Sequence, residues 1–161
     1  MTTSPLSDSE SASSFDRLHA EIRRWIWEQQ WAELRDVQNR TISAVLDENA
    51  DILIAASTAA GKTEAAFLPI LTQVADRTER GFSVLYVSPL KALINDQFRP
   101  LDQLCERLGV EVVRWHGDAP QAAKQRARRK PSGLILITPE SIEAMLIRRP
   151  NDAKAMLGSL S

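Results

Sequence analysis

Residues Ala56-Ser57-Thr58-Ala59-Ala60-Gly61-Lys62-Thr63-Glu64 follow directly on the apolar run Ile52-Leu53-Ile54-Ala55. An apolar run, a loop of small residues, Gly-Lys-Thr and then a helix leave few folds open. Small side chains let backbone N–H groups converge, and a helix starting at Lys62 turns the positive end of its dipole towards them. Such a loop wraps a chain of phosphates. Lys62 can reach the β- and γ-phosphates as a point charge, and the Thr63 hydroxyl can sit on Mg²⁺. Gly-Lys-Thr by itself occurs by chance in many loops; the preceding run and the full spacing give it meaning. Ala56 stands at the first position, where the common pattern has glycine. The expectation is a buried strand at Ile52–Ala55 and a nucleoside triphosphate held by Thr58, Ala59, Ala60, Gly61, Lys62, Thr63 and Glu64.

The composition narrows the classes further. A chain of 161 residues has the size of one domain, and 43% hydrophobic residues can bury a sizeable core. A net charge of −1 excludes a wholesale polycation, so any nucleic-acid site must be a local patch. The single cysteine, Cys105, cannot form an internal disulfide and fits a reducing compartment. No stretch reaches the ~18 apolar residues of a membrane span. Residues 1–14 lack an apolar signal core and read as a flexible tail, which makes a cytoplasmic location the default.

Helical spacing of Phe15, Leu18, Ile22, Trp25 and Ile26, and again of Val37, Ile42, Val45 and Leu46, predicts at least two helical pieces over 15–50. Trp25, Trp27 and Trp31 read as packing residues rather than base-stacking ones. From Asp51 onward strand and helix patterns alternate. Short apolar runs lie at Ile52–Ala55, Val84–Val87, Val110–Val113 and Leu134–Ile137, and helix-like segments at Lys62–Arg77, Leu90–Leu108, Gln121–Arg129 and Glu140–Arg148. This is the pattern of an α/β sandwich around a parallel sheet. Pro69 should bend the first of these helices and Pro100 should split the second.

Two strand exits share a chemistry. Val87 is followed by Ser88-Pro89-Leu90-Lys91, and Ile137 by Thr138-Pro139-Glu140-Ser141. A hydroxyl residue before proline signals a helix N-cap with proline at the first helical position. In a parallel sheet all such exits lie on the edge where ligands bind, so the phosphate loop and these two helix starts would line up there. Capping alone would also explain Ser88 and Thr138. Trp115-His116-Gly117-Asp118 leaves another strand at the same edge, most simply as a loop. Between Glu111 and Pro150 there are eight Lys/Arg against four Asp/Glu, with five positive charges within Lys124–Lys130. Beside phosphate-ready helix starts, such a patch suits an anionic polymer.

In this order the pieces resemble the first RecA-like domain of superfamily-two DEAD/DEAH-box helicases, nearest to the Lhr branch, over about residues 15–150. Leu34-Arg35-Asp36-Val37-Gln38 is similar to the family's adenine-recognition motif, which implies that Gln38, with Arg35, contacts the base. Ala56–Thr63 resembles motif I, Pro89–Gln97 motif Ia and Thr138–Ser141 motif Ib; His116-Gly117-Asp118 looks like a segment typical of that branch. The resemblance implies ATP and Mg²⁺ as cofactors and DNA or RNA as partner. Lys62 and Thr63 would serve the triphosphate and the metal. Pro89, Leu90, Lys91, Gln97, His116, Gly117, Asp118, Arg128, Arg129, Thr138, Pro139 and Glu140 would lie along the nucleic acid. Ala59 stands where the family often has glycine.

The family's Asp-Glu motif, which holds Mg²⁺ and orients the attacking water, has no counterpart after Ser141. Ala44-Val45-Leu46-Asp47-Glu48 imitates its composition but reads as the end of a helix. The expected architecture is therefore a RecA-like P-loop sandwich with a mainly parallel sheet, incomplete at its C-terminus, with 51–161 as a partial helicase domain. The expected function is that of an ATP- and nucleic-acid-binding N-terminal part of a longer helicase or translocase that does not hydrolyse ATP alone and is completed by a second RecA-like domain. The alternatives are a non-catalytic nucleotide or nucleic-acid binding module and, less favoured, an unrelated P-loop kinase.

Overall fold

The computed structural model describes residues 14–47, 50–57, 59–77 and 80–160. It divides into two compact units, Met1–Ala75 and Asp76–Ser161.

The first unit is helical. Helix α1 (Ala20–Glu28) buries Ile22, Trp25 and Ile26, and His19 caps it by accepting the Glu21 N–H on its side chain. Helix α2 (Asp36–Asp47) packs along α3 (Lys62–Val74). Two helical pieces before the loop are thus present. Trp25 is buried and meets Trp31 edge-on at 5.5 Å, whereas Trp27 is 77% exposed, so packing explains two of the three tryptophans only. Helix α3 runs on through the buried Pro69. The expected strand at Ile52–Ala55 is not formed: among the described residues the segment has no ladder partner, and Leu53 is 93% exposed. Apolar composition favours pairing, but a strand exists only where a neighbour takes up its backbone groups.

The second unit is an α/β sandwich. Strands β1 (Gly81–Val87), β2 (Val112–Trp115) and β3 (Ser132–Ile137) form a wholly parallel sheet in the order β1-β3-β2. On one face Phe82, Val113, Trp115, Ile135 and Ile137 meet Ala127 of α5 (Gln121–Arg129), Met145 of α6 (Pro139–Arg148) and Ala153 and Met156 of α7 (Pro150–Leu157). On the other, Arg114 donates to both Asp102 oxygens at 2.8 and 2.7 Å, tying α4 (Arg99–Arg107) to β2. Strand β2 starts two residues later than its apolar run because Gly109 (φ +66°) ends the helix and the Val110 N–H turns back to the Cys105 carbonyl at 2.8 Å. That six-residue closure uses Val110 for helix termination. The segment after β1 does divide: a π-helical turn, Leu93–Gln97, precedes α4, whose first turn contains Pro100.

Candidate nucleotide and nucleic-acid sites

In the first unit the phosphate loop closes on itself. The Ala60 N–H donates to the Ser57 carbonyl at 3.3 Å, and Ala59, third in that turn, has φ +62°. Turns with a positive third φ are built for glycine; an L-residue is strained there. Thr58 lies outside the described residues. Gly61 (φ +80°) leads into α3, and a Cβ there would stand 2.7 Å from Gln38 Nε2, so the glycine permits the Gln38 amide to lie against the loop. Gln38 is buried, and its Oε1 accepts the Arg35 N–H at 2.9 Å. That is the third residue of α2 reaching back to the cap position, a helix-start device in its own right. The Arg35 guanidinium donates to the Ala59 carbonyl. The sequence-predicted pair, Arg35 and Gln38, therefore touches the loop at Ala59 and at Gly61.

Lys62 Nζ donates to the Ala56 and Ser57 carbonyls at 2.9 and 2.6 Å, folding its charge over the loop. Gly61 provides no side-chain cap, and the first intrahelical bond runs from Ala65 N–H to Gly61 C=O. The N–H groups of Lys62, Thr63 and Glu64 thus have no acceptor within the helix. This donor set fits a phosphate chain. Among the described residues no group of three His, Cys, Asp or Glu side chains could hold a metal ion. Asp47, in the acidic look-alike, is ion-paired with Arg17 at 2.5 Å near the end of α2; Glu48 lies outside the described residues.

In the second unit Val87 of β1 and Trp115 of β2 both pair with Ile137 of β3. The turns at Ser88, His116 and Thr138 consequently leave the sheet at one level. Thr138 is the N-cap of α6 and Pro139 its first residue, as expected, but the Thr138 hydroxyl bonds the Ser141 hydroxyl at 2.9 Å instead of a backbone N–H. Ser88 caps nothing: its N–H extends the ladder to the Ile137 carbonyl, its buried hydroxyl has no partner among the described residues, and the helix begins only at Lys91. Pro89, Leu90 and Lys91 are exposed, as are Pro139 and Glu140.

Two lysines converge on the turn after β2. Lys91 Nζ bonds Asp118 Oδ2 at 2.7 Å and lies 3.5 Å from where a Gly117 Cβ would be. Lys124, which is buried, donates to the Gly117 carbonyl at 3.5 Å. The Lys91 hydrogen bond holds the Asp118 carboxyl below the usual carboxylate range. Burial pushes the His116 imidazole below its ordinary value; Lys91, Lys124 and Arg114 add to this and Asp118 opposes it. The role of Lys124 was hidden within a basic run, although its spacing from the buried Ala127 puts both on one helix face.

The run Lys124–Lys130 does not act as one patch beside the helix starts. Helix α5 runs back along the sheet, from the turn after β2 towards Arg80, and its cations point different ways. Arg128 turns inward, its guanidinium 5.2 Å over the Trp115 ring and 3.8 Å from Asp152. Arg129 is exposed at the opposite end, where its carbonyl accepts from Arg80, the residue before β1.

The DEAD/DEAH box helicase profile matches residues 35–160. The chain belongs to this family. It is 27% identical over 161 residues to the ATP-dependent helicase Lhr-Core of Methanocaldococcus jannaschii, covering 89% of the chain and 19% of that protein. A crystal structure of the DUF1998 helicase MrfA bound to DNA and AMPPNP superposes with a TM-score of 0.76 at 20% identity, over 99% of this chain and 21% of that one. The DEAD-box helicase Mss116 bound to ssRNA and UDP-BeF reaches a TM-score of 0.80 at 20% identity, over 98% of this chain and 33% of that one. The chain thus spans about a fifth of its Lhr-Core relative, and the fold is the RecA-like helicase one. No helix of the described residues is long and apolar enough to cross a membrane.

Proposed function

We propose that this chain is the ATP- and nucleic-acid-binding N-terminal part of an ATP-dependent DNA or RNA helicase or translocase, completed by a second RecA-like domain. The observation that carries the reading is the loop around Lys62: a folded-back ammonium beside three helix-start N–H groups without intrahelical acceptors. A triphosphate offers Lys62 Nζ anionic oxygens in place of the two neutral carbonyls it now holds, a stronger charge-assisted contact. Gln38 and Arg35, already against the loop, would read the adenine. Thr63 would hold Mg²⁺, which when bound neutralises charge on the β- and γ-phosphates. At the level of Ile137, Lys91 and the turns at Gly117 and Thr138 would clasp phosphates of the strand, a contact that reads backbone rather than sequence.

Titration with a fluorescent ATP analogue and Mg²⁺, in the chain and in Lys62→Ala, tests the first half. Saturable binding lost at least tenfold in the variant supports it; equal binding refutes it. Anisotropy with labelled DNA and RNA oligonucleotides, in the chain and in Lys91→Ala, tests the second.

A further inference from the structure

Helix α5 carries more positive charge than the strand-exit edge uses. Lys124 is committed to Gly117, and Arg128 to Trp115 and Asp152. Arg126, Arg129 and Lys130 remain exposed, and none has a carboxylate partner among the described residues. Arg126 and Arg129, at i and i+3, share one solvent-facing side of α5, and the exposed Lys130 follows at its C-cap. Arg80 extends this stripe, since its guanidinium donates to the Arg129 carbonyl at 3.4 Å. Cations in a last helical turn offset the negative end of the dipole, which accounts for Arg126, Arg129 and, at the C-cap, Lys130. It does not account for Arg80, which belongs to another segment. Arg126 lines a cavity of about 330 Å³ beside β2 together with Asn95, Arg114, His116 and Asp118. The stripe therefore begins at the turn where Lys91 and Lys124 meet and continues to the far end of the sheet.

We propose that Arg126, Arg129, Lys130 and Arg80 form a second polyphosphate-binding surface, which takes the stretch of nucleic acid lying beyond the strand-exit edge. This rests on the reading of that edge as a nucleic-acid grip, because continuity with it is what favours a nucleic acid over an acidic protein. A short oligonucleotide fills the edge alone; a longer one runs on over the outer face of α5. The stripe thus sets how affinity grows with strand length. Its contacts are exposed and ionic, so they act by counterion release and carry no base preference.

The test uses the 161-residue chain and labelled oligonucleotides of about 6 and about 20 nucleotides, with anisotropy read over a series of salt concentrations. In Arg129→Glu/Lys130→Glu, at the end of the stripe away from the strand exits, we expect short-strand affinity within about twofold of wild type. Long-strand affinity should fall at least tenfold, with the salt slope smaller by about 2. Should the charge reversal prevent folding, judged by circular dichroism, Arg129→Gln/Lys130→Gln decides with a smaller shift in the same direction. Unchanged long-strand binding in the folded variant overturns the proposal. So does competition by poly-glutamate as effective as by unlabelled oligonucleotide, which would point to an acidic protein partner. Failure of the underlying reading looks different: wild type then binds neither length, or Lys91→Ala leaves the short strand's affinity unchanged.

Discussion

The ammonium of Lys91 lies 2.7 Å from the Asp118 carboxylate, across the gap between the turns that follow β1 and β2. If Lys91 grips a phosphate as proposed, it does so from an existing ion pair, and an incoming strand would have to displace an acid that also repels it. Exposed ion pairs are weak, so the competition is modest. Asp118→Asn should tighten oligonucleotide binding about two- to fivefold, and in a Lys91→Ala background much of that gain should vanish, as a double-mutant cycle would reveal. Because Lys91 holds the Asp118 carboxyl below the usual range, lowering the pH from 7 to 5 should not reproduce the effect of the amide.

Ala59 carries a left-handed backbone in the middle of the phosphate loop. Glycine would remove the steric cost there but would add freedom to the unfolded chain, two effects of opposite sign. The first is the larger, so Ala59→Gly should stabilise the chain by about 0.5–1 kcal/mol. Thermal unfolding should show a midpoint higher by roughly 2–3 °C.

Gly133 is the opposite case. Its φ is +74°, and a Cβ would fall 2.3 Å from the Glu111 carbonyl oxygen and 2.8 Å from its nitrogen. Both are backbone atoms, and that same carbonyl accepts the Leu134 N–H at 2.8 Å, so neither strand can give way without loss of the ladder. Gly133→Ala should cost about 2–4 kcal/mol, measured by urea unfolding.

Cys105 is buried on α4, and burial pushes its thiol up to about 12. The folded chain should resist iodoacetamide at pH 8, whereas the urea-unfolded chain should react readily. Linkage fixes a sign as well. Above about pH 9 the unfolded thiol loses its proton while the folded one keeps it, so stability should fall with rising pH between 9 and 12. Its slope should be at most about 1.4 kcal/mol per pH unit, and should be absent in Cys105→Ala.

Helix α5 was legible to the residue, because Pro120 sets its start and Pro131 and Gly133 allow no continuation. The three parallel strands were legible from their apolar runs, although β1 and β3 begin three and two residues earlier, at Gly81 and Ser132, and β2 begins later because of the Gly109 closure. Pairing was not. Ile52–Ala55 has the composition of a strand and no partner, which composition cannot reveal. Nor could residue type separate cations that face inward from those that face outward: Lys124 and Arg128 share a run with Arg129 and Lys130 but spend their charge on Gly117, Trp115 and Asp152. At the loop, the spacing identified Gly61 and Lys62 and the family resemblance singled out Gln38, while the close approach of Gln38 to Gly61 is visible only in the fold.

Both neighbours of Ile137 finish opposite it. That shared row works as a ruler for everything mounted on it. A slip of one residue in either ladder would displace the attached turn by about 3.3 Å and invert which side chains face the helices. Buried side chains on both sides of β3, Leu134 and Leu136 as well as Ile135 and Ile137, oppose such a slip, so the three turns above the row keep a constant spacing whatever residues they carry.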